Sequence, residues 1–444
     1  MAYIETKRTG YGTRLKNSIG GIGFGFLLFL GGTALLWWNE GRAVKTTKML
    51  EEGQEVTLHV DNVDKIDNSL NGKLIHATAM TATDDSLVDA TFGVGAKCVK
   101  LRREVQHYQW VEKSQTTTKD KVGGAQEEVT EYTYEKKWVS KPEDSQKFHD
   151  PSTRARNFTL MNVETEEQVA KNVNFGAYKL PSNLISSISG SEPFNLDIPK
   201  EQLERWNNDV LNLYIRRHAQ GINDPSYITR QVNNSPIADN QQMKDDADSL
   251  ARKEAVSDDL DYVHVTGNEI YIGRSSSSPE VGDVKITFTK VLPGQASVIA
   301  EVYGDNLQSY TASNGKSLAV LTMGAVSVDK MYQAQHSSNS MWTWILRIVG
   351  ILMIIFGLKG IVNILETLFK VSPVLASIVG MATGLVCWVF GLSWSMLVIA
   401  IAWIFYRPVL GIILLVISGG LIFWLKNRSK NKKDRTPAAT EPQV

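Results

Sequence analysis

The chain has 444 residues, of which 43% are hydrophobic and 21% are charged, and its formal net charge is zero. These averages are those of a globular protein, but the apolar residues are concentrated at the two ends of the chain. Two cysteines, Cys98 and Cys387, are too few for the disulfide framework of a small secreted scaffold. We therefore expect two separate, buried, unpaired thiols, because free cysteine packs as a small hydrophobe.

The first apolar stretch, residues 19–38, contains no charged side chain. About 20 residues at the helical rise cross the roughly 30 Å of hydrocarbon in a bilayer, and Trp37 and Trp38 suit the headgroup region. The stretch predicts a first transmembrane helix after an N-terminal segment at 1–18. A cleaved signal peptide is the alternative, but the run is long for one and no small-x-small cleavage site follows.

Residues 39–340 read as one large domain that is rich in strands. Alternating apolar and polar positions with β-branched and aromatic residues are typical of half-buried strands. Tyr108 and Trp110 share one face of a predicted strand, and Trp138 lies on a second strand that pairs with it as an antiparallel ribbon. Further strands are predicted at 73–83, 283–292, 296–303 and 318–328, with a hairpin that joins 263–265 to 270–272.

One amphipathic helix is predicted after Pro199, because apolar residues recur three and four positions apart up to Tyr214. Residues 220–259 are rich in Asn, Asp, Ser and Gln and cannot bury enough apolar surface to offset their ordering entropy. We expect a loop there, within a polar insertion at about 205–259.

The C-terminal apolar region predicts three more spans. Residues 341–365 form one, with Arg347 and Lys359 near its edges, and 366–373 form a short loop. Residues 374–405 form the next span, which either tilts or begins along the interface, and 406–425 form the last. Arg407 stands in the turn between these two, because a charge at mid-bilayer is costly.

The orientation follows from the Lys and Arg residues beside the spans. Six of them crowd into residues 426–444, which predicts a basic cytoplasmic tail, a cytoplasmic N terminus and an exoplasmic domain at 39–340. The tail could instead bind nucleic acid or anionic lipid, but orientation is the simpler role, and we expect no nucleic-acid partner.

No catalytic or metal-binding pattern is present in the sequence. Seven histidines stand singly, and none is at a metal-ligand spacing from another His or Cys. Ser393 has no intramembrane His or Asp beside it and is interpreted as a helix-packing donor rather than a nucleophile. The sequence predicts a non-enzyme without cofactor. The histidines are His59, His76, His107, His149, His218, His264 and His336.

Small residues in the spans indicate close helix packing. Gly21 and Gly25, like Gly380 and Gly384, are four residues apart and let helix backbones approach. The contact is either within the chain or between copies of it. Glu40 and Arg42, just beyond the first span, either hold the domain against the membrane through charge-assisted hydrogen bonds or form a solvated flank.

Several aromatic-rich segments make the chain resemble the LUMA family (transmembrane protein 43) over nearly its whole length. The resemblance implies four spans, both termini in the cytoplasm or nucleoplasm, and a large lumenal domain. The chain departs from the animal pattern in the polar insertion and in a longer charged tail. The segments that carry the resemblance are 39–43, 99–103, 108–112, 132–138, 279–283, 338–344 and 403–408.

The resemblance implies a membrane organiser that self-associates and contacts other membrane proteins, such as emerin and lamins in animals. It places a eukaryotic member in the endoplasmic reticulum and inner nuclear membrane, and a bacterial one in the inner (cytoplasmic) membrane. We therefore expect an integral membrane α+β protein with about four transmembrane helices, one N-terminal and three C-terminal, and a large β-rich exoplasmic domain. It would act as a scaffold, with an ion-channel or channel-regulating subunit as the alternative and a lipid-handling enzyme as a distant third.

Overall fold

A computed structural model describes residues 2–154, 156–219, 261–370 and 372–408. Within these residues there are five α-helices: α1 (Tyr11–Val56), α2 (Ser182–Ile185), α3 (Lys200–Ala219), α4 (Val328–Phe369) and α5 (Pro373–Tyr406). Short 3-10 turns lie at Asn68–Leu70, Ser145–Lys147 and Pro151–Thr153.

Nineteen strands are present in the described part of the chain. They are β1 (Ala2–Thr9), β2 (Leu58–Val60), β3 (Leu74–Ala82), β4 (Ser86–Asp89), β5 (Val94–Lys97), β6 (Lys100–Asp120), β7 (Gln126–Val139), β8 (Glu166–Val169), β9 (Asn174–Phe175), β10 (Tyr178–Lys179), β11 (Ser191–Pro193), β12 (Val263–Thr266), β13 (Glu269–Ile272), β14 (Val284–Val291), β15 (Gln295–Tyr303), β16 (Asn306–Gln308), β17 (Tyr310–Thr311), β18 (Ser317–Leu318) and β19 (Val320–Met323).

Three of the described helices are long and apolar enough to cross a membrane, namely α1, α4 and the 378–406 part of α5. The expected membrane α+β class is confirmed. The fourth predicted span, 406–425, lies almost wholly outside the described residues. The first two helices are longer than the predicted spans, because α1 continues to Val56 and α4 begins already at Val328. Residues that were assigned to the ends of the β-rich domain are therefore helical.

The β domain is built on two larger sheets. The first has the order β1-β7-β6-β14-β13-β12, with β8 and β11 at its sides, and α3 covers a core that contains Phe92, Ile286 and Phe288. In the second sheet, β15, β16, β10, β9 and β3 pair in a closed ring. The ring surrounds a separate core that includes Phe175 and Tyr178.

Most predicted strands are confirmed within two residues of their expected ends. The ribbon of β6 and β7 pairs Tyr108 with Trp138 and is longer than expected. The predicted strand at 318–328 is wrong in its second half, which ends at Met323 in β19 before α4 begins. The helix after Pro199 is confirmed as α3. Its Val210 is buried in the core, so the start of the predicted insertion belongs to the packed domain; residues 220–260 lie outside the described part.

A third apolar core joins the helices to the domain. Met49 and Leu50 near the end of α1, and Met331 and Tyr332 near the start of α4, pack together against Ile299 of β15. The Tyr332 hydroxyl is 2.7 Å from the Thr57 hydroxyl, and Glu52 accepts hydrogen bonds from the Ser313 hydroxyl and Tyr310. Both helices therefore enter the domain as continuous elements and end inside its packing.

The N-terminal segment forms a strand that was not predicted. β1 pairs antiparallel with β7 from Ala2 to Thr9, and the Arg14 guanidinium is 2.8 Å from the Gly124 carbonyl oxygen and 2.7 Å from the Asp120 carboxylate. The predicted topology puts residues 1–18 and this hairpin on opposite sides of a membrane. Polar strands with open edges are not tolerated in hydrocarbon. The contact between residues 1–18 and the hairpin therefore cannot form while a bilayer surrounds the three long helices.

Candidate functional site

Four glycines, two on α1 and two on α4, let these helices approach within backbone contact. A Cβ atom placed on Gly25 would lie 2.7 Å from the Gly357 carbonyl oxygen and 2.8 Å from the Ile361 nitrogen, and one on Gly32 would lie 2.8 Å from the Gly350 oxygen. Association in lipid depends on such packing, because burial of apolar surface gives no driving force there. The close approach brings polar side chains of the two helices, on the side of the bundle next to the domain, within hydrogen-bond distance of one another.

A buried ion pair lies at the end of the bundle next to the domain. Arg347 of α4 donates through Nε to Glu40 Oε1 (2.6 Å) and through Nη2 to Oε2 (2.8 Å). Trp403 of α5 donates its indole N–H to the same carboxylate at 2.8 Å. Glu40 is 1% exposed and the Arg347 side chain 14%. A bidentate arginine–carboxylate pair is among the stronger polar contacts in proteins, and here it joins all three long helices.

Two aromatic rings cover the arginine. The Arg347 guanidinium carbon is 4.9 Å from the centre of the Trp344 ring and 5.7 Å from that of Trp403. Cation–π attraction strengthens when water is excluded. The positive charge of Arg347 is thus neutralised by one carboxylate and stabilised by two indole rings. These contacts explain how a charged residue is accommodated in an otherwise apolar part of α4.

A second set of hydrogen bonds extends this cluster toward the domain. Arg42 donates to Asn339 Oδ1 (3.0 Å), to Thr343 Oγ1 (2.9 Å) and to Asn39 Oδ1 (3.3 Å). Asn39 donates to the Thr343 carbonyl (3.0 Å), and Asn339 donates to the Ala43 carbonyl (3.1 Å). Burial lowers the pKa of Arg42, and the charge of Glu40 opposes that shift.

We call these seven residues the membrane-exit cluster: Asn39, Glu40, Arg42, Asn339, Thr343, Arg347 and Trp403. Gly41 lies between two of them, and a Cβ atom there would be 2.6 Å from the Tyr406 ring. A glycine is therefore needed at this position for α1 to approach the end of α5 so closely.

The membrane-exit cluster brings together segments that are far apart in sequence. Residues 39–43, 338–344 and 403–408 each carry part of the family resemblance, and all three meet here. Of the predicted site residues, Glu40 and Arg42 are central to the cluster. Arg407 is half-buried at the end of α5, where its backbone N–H bonds the Trp403 carbonyl at 2.7 Å.

The other glycine and serine candidates lie elsewhere on the helices. A Cβ on Gly21 or Gly384 would meet nothing within 4 Å, and one on Gly380 would meet the Glu366 carboxyl group at 3.5 Å. The Ser393 hydroxyl donates to the Val389 carbonyl of its own helix at 2.8 Å. Among these five positions, counting Gly25, only Gly25 is in tight contact with another helix.

The three aromatic candidates form a half-buried face on the ribbon, far along the chain from the cluster. The Tyr108 and Trp138 ring centres are 5.2 Å apart. Cations lie over the two tryptophans, namely Lys136 over Trp110 at 5.2 Å and Lys285 over Trp138 at 4.8 Å. The structure does not bring this face together with Glu40 or Arg42.

Sequence reasoning did not single out the other five members of the cluster as site residues. Asn339, Thr343 and Arg347 are spaced four residues apart on one face of α4, which is a pattern that could have been noticed. Trp403 gave no signal beyond its membrane-interface position.

Cys98 and Cys387 are both buried free thiols. Within the described residues, no group of three His, Cys, Asp or Glu side chains is placed to hold a metal ion.

The chain is similar in sequence to transmembrane proteins of several animals. The family model for transmembrane protein 43 matches residues 107–408. Transmembrane protein 43 of Rattus norvegicus is 29% identical over 90% of this chain and 88% of its own, and that of Homo sapiens is 28% identical over 91% and 88%. A homolog from Drosophila melanogaster is 26% identical over 90% and 93%. No solved structure matches the chain. The family model covers most of the chain and includes two of the three segments of the membrane-exit cluster. The chain therefore belongs to the transmembrane protein 43 family.

Proposed function

We propose that this protein is a non-enzymatic scaffold that holds a β-rich domain in a fixed position at the membrane surface, self-associates and binds other membrane proteins. The observation that carries the proposal is the membrane-exit cluster, which fastens α1, α4 and α5 together where the chain leaves the apolar layer. A buried, fully hydrogen-bonded polar network favours one defined arrangement over several similar ones.

The lengths of the helices support a rigid connection. The 46 residues of α1 span about 69 Å at the helical rise, whereas the hydrocarbon layer is about 30 Å thick. The remainder continues into the domain, where hydrogen bonds from the Ser313 side chain and backbone and from Tyr310 lower the pKa of Glu52. A carboxylate held by three donors resists rotation of the helix within the domain.

The surface of the ribbon is our candidate for partner binding. Aromatic and arginine side chains are enriched in protein interfaces, and Trp110 is flanked by Lys136 and by Arg156, whose guanidinium is 5.8 Å from the ring centre. This face lies on the β6–β7 ribbon of the domain. We propose that it is exoplasmic, in the lumen of the endoplasmic reticulum and nuclear envelope of a eukaryotic cell or outside a bacterial inner membrane.

Cross-linking of the full chain in native membranes tests the proposal. We expect cross-linked species larger than the monomer, and Trp110→Ser should reduce them several-fold. Val122→Ser is the matched control, because Val122 is 87% exposed and lies at the ribbon turn, away in register from Trp110. A strictly monomeric protein without cross-linked partners at every expression level would refute the scaffold function.

A channel-forming or channel-regulating subunit is the second candidate. It is favoured by polar groups between α4 and α5, where the Thr383 hydroxyl donates to Glu366 at 2.8 Å and the exposed Lys359 lies two turns earlier on α4. Intramembrane ionisable residues often mark ion pathways. Arg347 is a poor pore-lining group, since Glu40 and two indoles occupy it. Ion flux in reconstituted vesicles that changes with Glu366→Gln but not with Ser393→Ala would favour this function.

A further inference from the structure

The outer edge of β7 is a strand edge whose partner depends on the membrane. In the structure β1 occupies this edge through eight antiparallel residue pairs, from Ala2 opposite Thr133 to Thr9 opposite Gln126. A bilayer around the three long helices separates β1 from the ribbon, as described above. Residues 126–133 then present a row of unpaired backbone N–H and C=O groups, which can pair with another strand. We call these residues the β7 edge.

The pairing with β1 shows what kind of strand the β7 edge accepts. The register is continuous over the whole segment, without a bulge. The ring of Tyr3 lies next to that of Tyr132, with the two centres 6.1 Å apart. Tyr132 also stacks on His149 at 4.0 Å, so its side chain is held in place when β1 is absent. In strand addition, backbone hydrogen bonds supply affinity and alternate side chains supply specificity.

The β7 edge is acidic and contains no basic residue. In the register with β1, Lys7 lies opposite Glu128 and Arg8 lies opposite Glu127. Opposite charges that face each other across two strands stabilise their pairing. Successive side chains of a strand point to opposite faces, so an added strand needs a cation on each face to match both glutamates. The carboxylates of the β7 edge are Glu127, Glu128 and Glu131.

A second copy of the β7 edge is a poor partner for the first. If two such edges paired antiparallel with Gln126 opposite Thr133, Glu128 of each copy would lie opposite Glu131 of the other. Like charges directly opposite each other destabilise a strand pair. Lys121 of the ribbon turn pairs with Glu127 at 2.9 Å, which leaves the contacts between Glu128 and Glu131 uncompensated. The charges therefore favour a basic strand from a different protein.

We propose that the β7 edge binds an extended, basic segment of another protein on the same side of the bilayer, which adds to the ribbon as an antiparallel strand. The pattern of β1 specifies its side chains: an aromatic residue opposite Tyr132, and basic residues four and five positions later, opposite Glu128 and Glu127. The inference rests on the exoplasmic placement of the domain proposed above, because the bilayer then keeps residues 1–18 of the same chain away from the β7 edge.

Peptide binding to the full-length protein in lipid nanodiscs, which leave both faces of the bilayer accessible, tests the proposal. The probe is a fluorescent peptide with the sequence of residues 2–9, and its anisotropy reports binding. We expect saturable binding of one peptide per chain. A peptide that carries Lys7→Glu and Arg8→Glu should bind about tenfold more weakly, because two attractive cross-strand pairs become repulsive.

Reversing the charge of the β7 edge should reverse this preference. The variant with Glu127→Lys and Glu128→Lys should bind the acidic peptide more tightly than the basic one, and binding of either peptide shows that the variant is folded. The matched control is Glu201→Lys with Glu204→Lys, which makes the same change of net charge at two exposed positions of α3. It should keep the preference of the parent for the basic peptide.

A second variant asks whether the chain occupies its own β7 edge. Thr6→Pro in the full-length protein removes a backbone N–H from the middle of β1 and disfavours the strand. In nanodiscs this change should leave peptide affinity as in the parent, because residues 1–18 and the β7 edge lie on opposite sides of the bilayer.

Three outcomes would overturn the inference. The first is a parent and a Thr6→Pro variant that both fail to bind the peptide. The second is binding that appears only with Thr6→Pro, since the chain's own segment would then hold the edge. The third is equal affinity for the basic and acidic peptides. The scaffold function is judged separately, because its cross-links depend on Trp110, which pairs with Lys136 outside the β7 edge.

Discussion

The two ends of the helix bundle are held by different kinds of contact. Next to the domain, charged groups bond in the membrane-exit cluster, where Glu40 is 1% exposed and the Arg347 side chain 14%. At the opposite end, α1 and α4 are joined by the Ser18 and Thr367 hydroxyls at 2.7 Å and by a longer bond, at 3.3 Å, from Tyr11 to the Leu368 carbonyl. Neutral hydrogen bonds contribute less than charge-assisted ones. Of the contacts that α1 makes with the other two long helices, the charge-assisted ones therefore lie where the bundle meets the domain, and those at the other end are neutral.

The largest expected effect comes from breaking the ion pair. Arg347→Ala leaves Glu40 buried and unpaired, which should lower the free energy of unfolding in lipid bicelles by about 3–5 kcal/mol. The double variant Glu40→Gln with Arg347→Met should recover most of this loss, because it removes both charges and keeps similar volumes. If the single variant were as stable as the parent, the membrane-exit cluster could not be what fixes this end of the bundle.

The glycine contact in the middle of the bundle should be the next most sensitive. Gly25→Ala places a methyl group against the Gly357 carbonyl oxygen, and we expect a loss of about 1–3 kcal/mol because the helices must separate. Gly23→Ala is the matched control, since a Cβ there meets nothing within 4 Å. Equal stability of the two variants, measured in the same bicelles, would mean that the backbones are not in contact at Gly25.

The opposite end of the bundle should respond weakly. Ser18→Ala removes one buried hydroxyl pair and should cost about 0.5–1.5 kcal/mol, well below the effect of Arg347→Ala. Ser393→Ala is the control, because that hydroxyl bonds only within its own helix. If Ser18→Ala lowered the free energy of unfolding as much as Arg347→Ala does, the two ends of the bundle would be held equally strongly, contrary to this prediction.

The smallest expected effect concerns Arg14 and Asp120. If a bilayer separates the N-terminal segment from the ribbon, a double-mutant cycle with Arg14→Ala and Asp120→Ala in vesicles should give a coupling energy below about 0.5 kcal/mol. The same cycle on Glu40 and Arg347 is the positive control and should give a coupling several times larger. A substantial Arg14–Asp120 coupling in vesicles would place both groups on the same side and would overturn the predicted topology.

Local patterns in the sequence were sufficient for much of the fold. Charge-free runs located the helices that can cross a membrane, and strand alternation located the β6–β7 ribbon with its Tyr108–Trp138 pair. Helix ends were less accurate, because α1 and α4 continue as helices into the domain, where apolar and polar residues alternate and no longer show the membrane pattern. Strand β1 was missed because residues 2–9 are polar and depend on a distant partner.

The candidate site could be predicted only in part. Glu40 and Arg42 stood out because they are charged residues beside an apolar run, but their partners are about 300 residues away, and only the close packing at Gly25 and Gly32 brings them together.

The continuity of α1 and α4 also has a mechanical consequence. The end of α1 and the start of α4 are both packed within one domain, and the two helices run side by side from there. They should therefore move together as one rigid unit with the domain. If the domain moves parallel to the membrane, both helices should tilt about the membrane-exit cluster. The helix ends farthest from the domain should then be displaced the most. We therefore expect a force on the domain to change the tilt of both helices in the membrane.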